Sequence, residues 1–266
     1  VETMKFELNR HRITVRKKLP RPIRILHLSD THFAGDEPVL ARFFDRLSRE
    51  EMDFVFISGD IIDCDAGMFS CLENLKKLKP ACGFFAVFGN HDYYDFHILD
   101  TIIHNFPGQA LPKTMNHVDL LSEELQTIGV KVLRNETAEV SVEGVPVLIH
   151  GLDNPTTGHA NIRKTMRQFD QGKVNFLLTH LVDVFLDIGE NEIDVSFSGH
   201  SHGGQFRLPL VGPLMTHTAL GKRYASGIWN IQGAVCCISR GLSSSRFFRV
   251  RLLCPPEAIL LTVHGI

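Results

Sequence analysis

Six short apolar runs share one design: each stops at a polar residue suited to acid–base or metal chemistry. They are residues 23–28 before Asp30 and His32, 54–57 before Gly59-Asp60, and 84–88 before Gly89-Asn90-His91-Asp92. Next come 145–149 before His150-Gly151, 176–178 before Thr179-His180, and 195–197 before Gly199-His200-Ser201-His202. Continuous apolar runs of this length suit strands covered on both faces. The polar residues at their ends then collect along one rim of a sheet, where open α/β sheets place ligands.

Helical patterns separate the runs. Residues 38–52 carry a stripe of Val39, Leu40, Phe43, Phe44 and Leu47. Residues 68–78 are similar, and 118–128 end against Gly129. The alternation predicts an α/β fold, in one domain over residues 1–266. From Ile228 onward the pattern is strand-like, at 235–238, 247–253 and 258–263. The 266 residues are 44% hydrophobic and 22% charged, which excludes a disordered or collagen-like chain. A net charge of −2 argues against a general nucleic-acid binder. No protein partner is implied. No apolar run is long enough for a membrane-spanning helix. The six cysteines form no CxxC pair and read as reduced, mostly core thiols.

Asp30, His32, Asp60, Asn90, His180, His200 and His202 form the chemical constellation. They offer oxygen and imidazole nitrogen without thiolate, a mix that suits Mn, Fe, Zn or Co. In Asp-x-His and His-x-His, residues i and i+2 on an extended segment point the same way. Seven donors with one bridging carboxylate would populate two sites about 3.5–4 Å apart, the geometry of two-metal phosphoryl hydrolases. Two divalent ions against two carboxylates leave a positive field for a phosphate ester and a hydroxide. Among the other histidines, His27 and His150 lie within or at the end of buried runs and read as satisfied core residues.

Asp30-x-His32, Gly59-Asp60-x-x-Asp63, Gly89-Asn90-His91-Asp92, His180 and Gly199-His200-x-His202 occur in that order over about 170 residues. This series resembles the calcineurin-like metallophosphoesterases. The resemblance implies a four-layer α/β/β/α sandwich and two divalent ions, with Mn²⁺ expected first. It assigns Asp30, His32 and His202 to one ion, Asn90, His180 and His200 to the other, and Asp60 to both. Asn90 would also touch substrate. His91 would protonate or stabilise the leaving oxygen, and Asp63 would orient His91. The implied reaction is in-line attack on phosphorus by a metal-bridging hydroxide. Asp92 reads as a support for the site or as a turn residue.

The tail blocks Gly203-Gly204-Gln205-Phe206-Arg207, Gly221-Lys222-Arg223-Tyr224, Ser239-Arg240-Gly241 and Cys254-Pro255-Pro256 are similar to the YkuE/YaeI branch. That branch includes a UDP-2,3-diacylglucosamine pyrophosphatase, and the resemblance implies this activity in lipid A biosynthesis. A broader phosphodiesterase or phosphatase acting on envelope phospholipids or nucleotides is the alternative. Residues 95–116 look like an added segment whose Ile98, Leu99, Ile102, Ile103 and Phe106 make one helical face apolar. The segment either caps the site for acyl chains or packs on the core. Arg240, Arg246, Arg249 and Arg251 bring four positive charges with no acid between them, and Arg240 is the expected phosphate contact. Residues 1–24 carry a net +6, either a solvated face or an attraction to an anionic membrane surface. The expected location is the cytoplasmic face of the inner membrane, peripherally or through a segment before Val1.

Overall fold

The computed structural model describes residues 5–97, 114–188, 193–244, 246–247 and 249–266. Its first sheet has the order β1-β14-β2-β3-β4-β5. These strands are β1 (Glu7–Thr14), β14 (Glu257–His264), β2 (Ile23–Leu28), β3 (Phe54–Ser58), β4 (Gly83–Val87) and β5 (Val130–Val132). The second sheet has the order β12-β13-β9-β8-β7-β6. It comprises β12 (Gly227–Ile231), β13 (Ala234–Ile238), β9 (Val195–Ser198), β8 (Val174–Leu178), β7 (Val145–Gly151) and β6 (Glu136–Val142). The strands that matter for the site, β2-β3-β4 and β7-β8-β9, run parallel within each sheet.

The alternation of side chains along each strand sorts the apolar residues into three interfaces. Ile25, Phe54, Phe56, Phe85 and Val87 meet Val147, Ile149, Phe176 and Phe197 between the two sheets. The intervening residues Leu26, Leu28, Val55, Ile57 and Ala86 face the other way. They pack on helices α1 (Pro38–Leu47), α2 (Met68–Leu75) and the helix Val118–Thr127. On the far side of the second sheet, Leu177, Cys236 and Ile238 pack on Val182, Val184 and Phe185, which belong to short helical turns. Three buried interfaces define four layers, the α/β/β/α sandwich that the sequence implies.

Three boundaries differ from the sequence reading. Helix α1 stops at Leu47, not 52, because residue 53 is already tied to the sheet: its N–H donates to the Arg24 carbonyl at 2.8 Å. Strand β1 has no apolar run, since it is a half-exposed edge strand that pairs in parallel with β14. Residues 247–253 form no strand among the described residues, only an isolated bridge between Phe206 and Leu252. Arg251 turns inward there, and Leu253 adopts φ 49°, which breaks the extended run. Most of the added segment, 98–113, lies outside the described residues, as do Ile98, Leu99, Ile102, Ile103 and Phe106.

The same alternation separates the two core histidines from the site. His27 faces the inter-sheet core, where Nε2 meets Ser58 Oγ at 2.8 Å and burial pushes its pKa down to about 3. His150 lies within β7 and contacts Thr137 and Asn175 at 2.9 and 3.0 Å. The ring of Phe56 touches those of Phe54 and Phe85 in its own sheet and those of Phe176 and Phe197 in the facing sheet. Phe56→Ala is therefore expected to cost about 3–5 kcal/mol, read as a lower urea midpoint. A change below about 1 kcal/mol would contradict this packing.

Candidate metal centre

Five strands deliver polar residues to one rim between the sheets. Asp30 and His32 follow β2, Asp60 follows β3, and Asn90 follows β4. From the second sheet, His180 follows β8, and His200 and His202 follow β9. Asp60 is the meeting point: its Oδ2 lies 3.3 Å from His180 Nε2 and 3.6 Å from His32 Nε2. One donor atom from each of Asp30, His32, Asp60 and His202 falls within 4.8 Å of the others. The same holds for Asp60, His180 and His200. The two groups share Asp60, so one carboxylate stands between two ligand sets.

The imidazoles are oriented from behind. His180 Nδ1 faces the Ser58 carbonyl at 2.7 Å, and His202 Nδ1 faces the Ser243 carbonyl at 3.1 Å. A carbonyl can only accept, so Nδ1 carries a proton and Nε2 is the nitrogen turned to the site, a ligand when it is deprotonated. His32 Nδ1 meets Asp63 Oδ1 at 3.1 Å, which leaves its buried Nε2 without a hydrogen bond. Asn90 Oδ1 is likewise buried with no hydrogen-bond partner. Such atoms are costly unless something occupies the space before them. His200 Nδ1 sits only 3.1 Å from His180 Nε2, two nitrogens that a cation between them would satisfy together. Oxygen and nitrogen donors, orphaned lone pairs and a shared carboxylate all fit a pair of divalent ions.

Five of the eleven non-glycine residues with left-handed backbone among the described residues are ligand candidates. Asp30, His32, Asp60, His200 and His202 have φ of 49°, 44°, 51°, 68° and 49°. Left-handed conformations are uncommon outside glycine, and their clustering here marks the rim as functional. Close packing of backbone on the ligands excludes larger residues. A Cβ at Gly89 would overlap Asp60 Oδ1, and one at Gly199 would overlap Ser29 Oγ and Asp30 Oδ2.

His91 and Asp63 flank this centre. His91 Nδ1 is 2.7 Å from Asp63 Oδ1, and its ring packs on His32 and Phe96 at centroid distances of 4.5 and 4.4 Å. The Arg246 amide donates to Asp63 Oδ2 at 2.9 Å. The His91 N–H donates to Asp60 Oδ1 at 2.9 Å, and Asn116 Nδ2 donates to the His91 carbonyl at 2.8 Å. Asp92 accepts from the amides of Ile61, Ile62 and Gly89 at 2.8, 3.0 and 2.7 Å, so it braces the loops that carry Asp60 and Asn90. Asn116 and the Ser243 and Ser58 carbonyls carry no sequence signal of their own. Arg240 has a different setting from the expected open fork. Its Nη2 donates to Glu7 and Glu257 at 2.9 and 2.7 Å and ties β1 to β14.

Charges in the ion-free centre balance internally. Burial pushes Asp60 up, but His180, His91 and His32 together hold it well below the usual carboxylate range. Burial pushes His180 down, but Asp60, Asp30 and the Ser58 carbonyl hold it up at about 9. A metal ligand must be neutral imidazole, so an ion competes with this proton. Below about 9, the apparent affinity for a divalent ion is expected to rise about tenfold per pH unit from His180 alone. Competition against a chromophoric chelator at several pH values measures this, and an affinity independent of pH would contradict it.

The comparisons with known proteins agree with this geometry. The family model described as calcineurin-like phosphoesterase matches residues 23–204, which include every candidate ligand from Asp30 to His202. The uncharacterized metallophosphoesterase YkoQ of Bacillus subtilis is 30% identical over 200 residues, 74% of this chain and 66% of that protein. YkuE of the same organism is 27% identical over 243 residues, covering 90% and 76%. Phosphodiesterase YaeI of Escherichia coli is 27% identical over 261 residues, covering 96% and 87%. The match to the family model across more than half of its residues establishes that this chain belongs to the calcineurin-like phosphoesterase family.

Proposed function

We propose that this protein hydrolyses the pyrophosphate bond of UDP-2,3-diacylglucosamine, giving UMP and 2,3-diacylglucosamine 1-phosphate. The observation that carries the chemistry is Asp60 Oδ2 between His32 and His180, with the His91–Asp63 pair alongside. In this reading Asp30, His32, Asp60 and His202 hold one ion, and Asp60, Asn90, His180 and His200 hold the other. When bound, two divalent ions, Mn²⁺ first among them, supply Lewis acidity at phosphorus and a water acidic enough to attack near neutral pH.

His91 serves the leaving group. Burial alone would lower its pKa, but Asp60, Asp63 and Asp92 hold it above the usual imidazole value. Asp63 holds Nδ1, and Nε2 is left to give its proton to the departing oxygen. Asn90 offers an amide oxygen to an ion and an amide NH₂ to a phosphoryl oxygen. Arg240, held by Glu7 and Glu257, takes no part in this reading.

The choice of substrate rests on the resemblance of the tail to a branch that includes such a pyrophosphatase. The location on the cytoplasmic face of the inner membrane is part of the same proposal. Arg10, Arg21 and Arg24 of the basic N-terminal segment pair with Glu50, Asp53 and Glu51. That leaves Lys5, Arg12, Arg16 and Lys18 as its exposed charges toward a membrane. A second reading, a phosphodiesterase of broader specificity, is favoured by the name of its relative YaeI.

Product analysis separates the two. The first reading expects Mn²⁺-dependent release of UMP from the UDP-lipid, abolished by a chelator. Efficient turnover of small phosphodiesters with none of the UDP-lipid would overturn it. His91→Ala is expected to lower kcat by about 10²–10⁴-fold with metal content retained. Asp63→Asn removes a charge that raises the His91 pKa, so the alkaline fall in kcat should move to lower pH. An unchanged pH profile would contradict the assigned pairing.

A further inference from the structure

The segment from β9 up to β14 has a composition unlike the rest of the chain. Residues 195–256 contain seven Lys and Arg and no Asp or Glu, in a protein of net charge −2. Arg240, Arg246 and Arg249 find carboxylates elsewhere in the fold. Arg207, Lys222 and Arg223 have no carboxylate partner among the described residues. Within this acid-free region lies a small ribbon. Strands β10 (Arg207–Leu208) and β11 (Gly212–Pro213) form a hairpin, and residues 250–252 run along its other side through Phe206 and Leu252.

The ribbon exposes aliphatic side chains. Leu210 at the hairpin tip is fully exposed, and Val211, Met215, Val250, Leu252 and Leu253 are all exposed beside it. A concentrated apolar surface of this kind marks an interaction site rather than ordinary surface. The tip carries a second sign. Leu210 has φ 65°, a conformation costing roughly 1 kcal/mol for a residue with a Cβ. Glycine or asparagine would relieve it, yet the chain presents leucine there, against both solvent and backbone.

The ribbon is built onto the metal centre. It begins just past the His202–Gly204 turn, where a Cβ at Gly204 would meet Pro213. Arg251 Nη2 lies 3.4 Å from His202 Nδ1 and also donates to the Ser243 carbonyl that orients this ring. His217, just after the hairpin, packs its ring 5.7 Å from that of His200.

We propose that this ribbon is a membrane-docking surface: Leu210 and Val211 enter an anionic lipid bilayer, and Arg207, Lys222 and Arg223 contact its head groups. Exposed aliphatic side chains near basic groups without carboxylate partners match acyl chains beneath an anionic surface, although Arg207 also donates to the Gly203 carbonyl and Ser226 Oγ and Arg223 lies over the Trp229 ring. Docking there would set the metal centre against the bilayer, where a lipid-linked phosphoester presents its head group. The surface deepens the lipid reading of the site and rests on it only for the identity of that substrate.

Sedimentation with vesicles tests the surface apart from catalysis. The wild-type chain is expected to bind phosphatidylglycerol vesicles, to ignore phosphatidylcholine vesicles, and to be released by salt. Replacing the tip by Leu210→Asp with Val211→Asp should lower the bound fraction about tenfold or more, with the thermal midpoint unchanged. Lys222→Glu with Arg223→Glu should weaken binding in the same direction. Equal binding by the tip variant, or no binding by the wild type, would overturn the proposal, as would preference for nucleic acid over vesicles. UMP release from detergent-dispersed UDP-lipid reads the catalytic proposal separately. Turnover without vesicle binding removes only the docking surface, and vesicle binding without turnover removes only the substrate.

Discussion

One carboxylate oxygen, Asp60 Oδ2, has imidazole nitrogens from two different sheets within 3.6 Å. That arrangement requires both sheets to end their parallel strands at the same rim and to stay in fixed register. The inter-sheet core supplies the rigidity. Phe54, Phe56, Phe85, Phe176 and Phe197 interlock directly beneath the rim, and a shift of either sheet would have to repack all of them. The inter-sheet interface thus fixes the distance across which the ligands must meet.

The centre is assembled against several local costs. Five ligand candidates occupy left-handed backbone, and several charged or polar groups are buried together. Without ions these groups satisfy one another partly, through Asp60 with His180 and Asp63 with His91. His32 Nε2, Asn90 Oδ1 and, despite its short ion-pair contact with Asp63, His91 Nδ1 stay without hydrogen bonds. A fold that tolerates strained loops and orphaned lone pairs at one place gains them back when cations bind, so ion binding and stability of the rim are linked.

What the sequence disclosed follows from what each feature demands. Buried strands such as β2 and β3 need continuous apolar residues, and their ends were visible where the polar ligands begin. The i, i+2 spacing of Asp30 with His32 and of His200 with His202 was equally plain, but all four residues adopt left-handed backbone rather than the extended conformation read from that spacing. Strand β1 was hidden because half of it faces solvent and its pairing with β14 depends on residues some 250 positions away. Residues 247–253 misled because Phe247, Val250, Leu252 and Leu253 are exposed rather than buried, and periodicity cannot tell the two apart. The partners that fix the imidazole tautomers are the backbone carbonyls of Ser58 and Ser243, which any residue type supplies. Arg240 looked available in the sequence and is held by Glu7 and Glu257 only once β1 and β14 pair.

The central claim is that two cations share Asp60. Anomalous scattering from crystals of the Mn²⁺-loaded protein tests it most directly. The account predicts two peaks per chain, one among Asp30, His32 and His202 and the other among Asn90, His180 and His200, with Asp60 between them. A single peak, or two peaks that do not both contact Asp60, would contradict it.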